Sequence, residues 1–331
     1  MRFVYLTIVL LISVFVKAQD PHFTQFVAAP FTVNPAYAGV FNGSARVMAN
    51  YRQQWANLVD PFTTAVVAGD VKIGNYKPEE GGQHPFNIGV QFMQDQSMAG
   101  AFRSSYAGLM ASYHVKLNEA DDQSVGAGLA INYGNRRIDF AGISFDRQFA
   151  SGGFNLSLPN GEAAMQNMKP FYSIGAGLLF RSGNPLSGTF FDVGLSGYHF
   201  NKPIQTVMDD PKQVLPIRWS GQMTFQQYIN EVSLINIKAL YQKQAEVDYL
   251  LAGFSIARLF GEDEEQMVGA GLWYRSGESF APHAYVEVNK MRVGFSYDIA
   301  YNNLKRTLTP ASSYEISFQW RIGQMMERGI R

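Results

Sequence analysis

The last forty residues of the chain alternate apolar and polar side chains almost without interruption. From Met291 to Tyr301 the odd positions are Met, Val, Phe, Tyr, Ile and Tyr, and the even ones are Arg292, Gly294, Ser296, Asp298 and Ala300. After a break at residues 302–311 the pattern resumes, with Tyr314, Ile316, Phe318, Trp320 and Ile322 alternating with Glu315, Ser317, Gln319 and Arg321. Successive side chains on a strand point to opposite faces, so each run has one apolar face and one polar, charged face. Such strands need an apolar medium on one side and water or polar groups on the other.

The same alternation marks further strands, at 44–56, 61–74, 85–97, 100–117, 123–135, 170–182, 188–200, 216–229, 232–243, 247–260, 266–276, 280–289, 291–301 and 312–322. Most are near the ten residues that cross a bilayer at a tilt. No stretch shows a sustained helical period. The pattern predicts an all-β chain: a transmembrane antiparallel β-barrel of about 14 strands over residues 44–322.

Connection lengths test this independently. In outer-membrane barrels the termini and short turns are periplasmic and the long loops external, so odd-numbered connections should be the long ones. The longest, residues 136–169, is the fifth, and 201–215 and 302–311 are the seventh and thirteenth. The even connections 118–122, 230–231 and 289–290 are short and polar, whereas 75–84 is even yet long. A soluble sandwich shares the alternation but gives no reason for this sorting. It also leaves unexplained the glycines of Gly126-Ala127-Gly128, Gly175-Ala176-Gly177 and Gly269-Ala270-Gly271. These sit on the polar face, in phase with Asn132, Arg181 and Arg275, where they would leave lumen space or admit another chain segment. The phase assigns Tyr297, Tyr301, Tyr314, Phe318 and Trp320 to lipid, and Arg46, Arg103, Arg292, Asp298, Glu315 and Arg321 to the lumen. With the phase reversed, each Arg or Lys near the midplane would cost roughly 2–4 kcal/mol.

Residues 1–18 read as a secretory signal peptide, with Arg2 as the positive start, an apolar stretch over 3–16, and Val16-Lys17-Ala18 before Gln19 as the cleavage site. This predicts Sec-dependent export. The 27 basic and 27 acidic residues balance, which gives no sign of a nucleic-acid partner. The absence of cysteine excludes a disulfide scaffold, a thiolate metal site and a lipoprotein.

Chemistry is sparse. The five histidines (His22, His84, His114, His199, His283) lack metal-site spacing, and no phosphate loop, nucleophile elbow or dinucleotide fingerprint occurs. Glu262-Asp263-Glu264-Glu265 and Asp209-Asp210 lack the spacing of a calcium loop. Neither a cofactor nor a metal is expected, and no enzyme. A hydrolase at the barrel rim would draw on His114, His199, Asp192 or Asp298, which read more simply as polar or interfacial strand residues.

Residues 19–43 fit no strand or helix. They hold Asp20-Pro21-His22-Phe23-Thr24-Gln25-Phe26 and Pro30-Phe31-Thr32-Val33-Asn34-Pro35-Ala36-Tyr37-Ala38-Gly39. Two proline-broken aromatic stretches need burial without regular structure, which predicts packing in or under the barrel. Residues 323–331 form a C-terminal tail.

This opening resembles the PorP/SprF family of Bacteroidetes outer-membrane proteins. The likeness rests on the aspartate-proline start (Asp20, Pro21), the Asn-Pro-Ala-x-Ala-Gly element (Asn34, Pro35, Tyr37, Gly39) and the Tyr-Arg-x-Gln-Trp strand (Tyr51, Arg52, Trp55). The stretches 191–203, 292–298 and 314–318 are also similar to family elements, while the tail displaces the aromatic residue expected at the end of such a barrel. The resemblance implies an integral outer-membrane component of the type IX secretion system. It implies as partners a large secreted protein, held by its C-terminal domain, and other secretion or gliding-motility components, beside the bilayer and its lipopolysaccharide. It carries over no catalytic residue.

External loops would then contact the cargo, with Phe140, Phe145, Arg147, Phe149, Phe154, Asp209, Lys212, Lys305 and Arg306 as candidates. For the phenylalanines, packing of the loop on itself is an equal reading. The alternative function is a passive porin-like channel for small solutes, with the aromatic N-terminal segment as a plug that would silence it. Docking of that segment on the first strand would make both Arg52 and Trp55 important for stability or assembly.

Overall fold

The computed structural model describes residues 20–58, 60–73, 86–118, 123–140, 143–161, 169–183, 188–205, 213–261, 266–301 and 312–323. The strands are β1 (Ala45–Gln54), β2 (Phe62–Ile73), β3 (Phe86–Ser97), β4 (Phe102–Lys116), β5 (Gln123–Ile138), β6 (Phe149–Ala150), β7 (Gly153–Phe154) and β8 (Phe171–Gly183). They continue with β9 (Phe190–Tyr198), β10 (Arg218–Asn230), β11 (Ser233–Gln244), β12 (Val247–Phe260), β13 (Gln266–Arg275), β14 (Ser279–Val288), β15 (Met291–Ala300) and β16 (Ser312–Ile322). β6 and β7 form a separate two-stranded hairpin. The other fourteen close into one antiparallel barrel in which each strand pairs with its neighbours in the chain, and β1 returns to pair with β16. That closing seam runs from Ala45 opposite Ile322 to Gln53 opposite Tyr314.

The period-two reading decides the orientation of every strand. In β5, Val125, Leu129, Ile131 and Tyr133 stand exposed on the outside, while Ser124, Asn132 and Arg136 are buried inside. Leu129 is 64% and Leu195 68% exposed, and outward Val, Leu, Ile and Phe recur around the wall. In water this surface would be an apolar patch far beyond that of a soluble monomer. Facing lipid it is ordinary, and closure leaves no strand edge unpaired in the hydrocarbon. A soluble sandwich would bury the face that this barrel exposes.

Because neighbouring strands are antiparallel, all odd connections lie at one end of the barrel. This loop end carries the β5–β8 connection with its small hairpin, and the β9–β10 connection. The opposite end holds the turn after Asn230 and the Asn289-Lys290 turn, where both residues take positive φ.

One assignment needs correction. Arg103 does not face the lumen: in β4 the even positions Ser104, Tyr106, Met110, Ser112 and His114 are the buried ones. Arg103 lies on the outward phase one residue from the strand start, at the loop-end rim, with its Nε donating to the Gly100 carbonyl at 2.8 Å. At the rim a charge escapes the midplane penalty. The signal-peptide reading (1–18), connections 75–84 and 302–311, most of the tail, and Asp209, Lys212, Lys305 and Arg306 lie outside the described residues.

Ile131, outward at the middle of β5, tests the lipid assignment. Ile131→Arg should lower barrel stability in vesicles by about 2–4 kcal/mol, read from urea unfolding midpoints.

Candidate functional site

The inward faces of the strands surround residues 20–44, which run the length of the lumen as three short 3-10 turns (Phe26–Ala28, Pro30–Thr32, Pro35–Tyr37) joined by extended chain. Asp20 lies at the loop end beside Arg218, the first residue of β10. Ser44 lies at the other end, beside Ile322.

An irregular backbone buried in a barrel must find hydrogen-bond partners outside itself. The polar strand faces provide them. Glu315 accepts the main-chain N–H groups of Thr24 and Gln25, both at 2.7 Å. The carbonyls of Phe31, Thr32, Val33 and Ala38 accept from Tyr198, Arg218, Ser196 and Ser112 respectively. Apolar groups fill the remaining space, with Phe26 edge-on to Trp273 at 5.6 Å between ring centres.

Each residue of the Asn34–Gly39 element has a job. Asn34 Oδ1 accepts from the Ala36 N–H at 2.8 Å and caps the turn, Pro35 occupies its first position, and Asn34 Nδ2 donates to the Leu178 carbonyl at 3.0 Å. Tyr37 donates its hydroxyl to Asp192 at 2.9 Å. Gly39 takes φ +77°, and a Cβ there would fall 2.1 Å from Asn87. Across the lumen, a Cβ on Gly128 would lie 2.3 Å from the Ala36 nitrogen, and one on Gly177 2.0 Å from Asn34 Oδ1. These two strand glycines admit the segment, whereas Gly126 and Gly175 make room for His114 and Tyr198.

Charge fixes the segment at three levels. At the loop end, Asp20 Oδ2 meets His199 Nε2 at 2.7 Å and Arg218 Nη1 at 2.9 Å. Below it, Arg52, 1% exposed, donates to Asp298 at 2.8 Å and to Thr24 Oγ1 at 2.6 Å, with Glu315 at 3.4 Å. At the far end, Arg46 binds Asp70 in a two-pronged pair at 3.0 and 2.8 Å, and Asp70 also accepts the Gly39 N–H at 2.8 Å.

Ser173 Oγ lies 2.7 Å from His199 Nδ1, so Ser173, His199 and Asp20 form a serine–histidine–aspartate row. A nucleophile must present its oxygen to a substrate. Ser173 is 1% exposed, and its aspartate is also engaged by Arg218. The row anchors the start of the luminal segment. Among the described residues no group of three His, Asp or Glu side chains could hold a metal ion.

The remaining sequence candidates divide. Tyr51 faces outward beside Tyr314, with ring centres 6.2 Å apart, and Trp55 stands in the β1–β2 turn, edge-on to Phe62 at 5.2 Å. Arg52 is therefore the member of that strand motif that reaches the N-terminal segment. Pro21 lines the lumen beside Asp20. In the long loop Phe140 is buried edge-on to Phe145 at 5.2 Å, which makes it a loop-packing residue. Phe149 and Phe154 pair across the β6–β7 hairpin and stay exposed, and Arg147 is exposed beside Gly161. Sequence reasoning missed Asp70, Arg218 and Asn87 as partners of the segment. The Arg46–Asp70 pair had a signal in the sequence, since both lie on polar phases of adjacent strands.

Arg52→Ala would strand two buried carboxylates and should cost about 3–5 kcal/mol. Trp55→Ala should leave the N-terminal segment protected from protease, and comparing the two by heat-modifiable mobility and limited proteolysis checks the assignment.

The family described as type IX secretion system membrane protein PorP/SprF matches residues 15–320. No curated protein matches the chain. Among solved structures, the CymD monoaromatic hydrocarbon channel is similar at TM-score 0.47 and 12% identity, covering 90% of this chain and 93% of that one. A Pseudomonas aeruginosa FadL homologue gives 0.48 and 9%, covering 86% and 91%. The KdgM porin gives 0.40 and 8%, covering 84% and 99%.

Proposed function

Because this chain belongs to the PorP/SprF family of type IX secretion system membrane proteins, we propose that it is a non-enzymatic outer-membrane component that holds a large secreted protein at the cell surface. In this reading Sec-dependent export removes residues 1–18, residues 44–322 form the membrane barrel, and the secreted protein, such as a gliding adhesin, is bound through its C-terminal domain. Other secretion or gliding components complete the assembly.

The observation that carries the reading is the occupied lumen. A segment held by buried ion pairs and by hydrogen bonds to its own backbone fills the path that a solute would take. A barrel built to conduct gains nothing from such a filling; a barrel built to hold a partner gains a rigid wall under its loops. The exposed Phe149–Phe154 hairpin and Arg147 supply aromatic and guanidinium contacts of the kind enriched in interface cores.

Two measurements separate this from the porin alternative. A tagged barrel purified from intact cells should bring down a large secreted protein, and loss of that protein on replacing Phe149 and Phe154 by Ser would place the contact. In planar bilayers the intact protein should be silent. A steady open conductance, with no secreted protein recovered, would favour the porin.

A further inference from the structure

The outer wall changes character near the loop end, and it does so on two neighbouring strands at one level. Along β5 the outward side chains are Val125, Ala127, Leu129, Ile131 and Tyr133, followed by Asn135 and Arg137. Their antiparallel partners on β4 are Val115, Tyr113, Ala111, Leu109 and Ala107, followed by Ser105 and Arg103. Tyr133 stands edge-on to Tyr172 of β8, with ring centres 5.5 Å apart. Aromatic pairs on a lipid-facing wall mark the membrane interface. Arg137 follows Tyr133 at roughly 13 Å along the strand, which places it and Arg103 in the headgroup layer of the outer leaflet.

Arg103 and Arg137 stand directly opposite each other. Like charges so placed, with Cβ atoms about 4.5–5.5 Å apart, destabilise a sheet. Among the described residues neither guanidinium forms an ion pair, and the Arg103 hydrogen bond runs from Nε to the Gly100 carbonyl. Asp139, exposed just beyond β5 and held by its N–H on the Ala101 carbonyl at 2.7 Å, offsets at most one of the two charges. An anion between the arginines removes the repulsion. Phosphate suits them best, because each planar guanidinium fork matches two of its oxygens. Asn135 and Ser105, one step nearer the bilayer, add amide and hydroxyl groups that can bond a sugar.

We propose that Arg103 and Arg137 clamp a phosphate on the sugar headgroup of an outer-leaflet glycolipid. The source is a lipid and not free phosphate, because the pair continues the apolar outer wall without a break and faces the membrane side of the rim. β5 leads from this point into the connection that carries the exposed β6–β7 hairpin. A lipid held here fixes the base of that loop at the membrane surface, whatever the hairpin binds.

Native mass spectrometry of the full-length barrel, refolded in a mild detergent, tests the site with three probes: bisphosphorylated lipid A, the same lipid stripped of phosphate, and inorganic phosphate. The unsubstituted barrel should retain one lipid A molecule, hold the dephosphorylated lipid at least about tenfold more weakly, and keep its lipid A in excess inorganic phosphate. Replacing both arginines (Arg103→Gln with Arg137→Gln) should weaken lipid A about tenfold to a hundredfold, the worth of hydrogen bonds to a charged group. Arg258→Gln, at an outward arginine over Phe260 near the opposite end, should change nothing, and Asp139→Asn should tighten binding. Thermal unfolding in lipid-free detergent separates lost binding from lost folding. Freed of the repulsion, the double variant should be at least as stable as the parent, and lipid A should raise the melting temperature of the parent alone. Equal retention of lipid A by parent and double variant would overturn the site, as would equal retention of the lipid with and without phosphate. Displacement of lipid A by inorganic phosphate would overturn the lipid assignment in favour of a free-anion site. A double variant less stable than the parent in lipid-free detergent would overturn the claim that the two charges need an outside partner.

Discussion

Everything inside this barrel depends on satisfying a buried backbone that makes no regular structure of its own. Within lipid a strand finds its partners in the next strand, and the closed sheet leaves none over. The N-terminal segment has no such neighbour, so side chains must stand in for a ladder. Glu315 does this most directly, one carboxylate taking two consecutive N–H groups. Ser112, Ser196, Tyr198 and Arg218 do it for carbonyls on other walls. The polar face that alternation demands is therefore a template for one irregular peptide.

The buried ion pairs extend the same logic. Arg52 with Asp298 and Glu315, Arg46 with Asp70, and Arg218 with Asp20 each combine a wall cation with carboxylates of the wall or the segment. Such pairs are a weak source of stability, because desolvation offsets much of the attraction. Their stronger effect is on register. A segment shifted by one residue would leave Asp20 or the Glu315 carboxylate without its partners, at a cost that apolar packing alone would not impose.

The strands were legible because period two is a direct image of strand geometry, and β16 coincides with the run from 312 to 322. The lumen phase failed at Arg103, since alternation says which side a residue takes only while the strand lies within the apolar band. The segment's need for burial was visible in its prolines and aromatics. Its partners were not. Tyr37 meets Asp192 and Asp20 meets His199 across 155 and 179 residues, and no local pattern encodes a contact set by how far a barrel turns before it closes.

The clasp of Glu315 on Thr24 joins two points 291 residues apart, beside the seam where β1 meets β16. Contacts of such long range carry a large loop-closure cost. Thr24 and Gln25 have this partner for their N–H groups only when β16, the last strand, is in place. Once β16 seats, the same carboxylate faces both the seam and the segment, so closing the wall and filling it become one event. A barrel that closed early would have shut out its own contents; here the final strand acts as a lock that turns only with the key already inside.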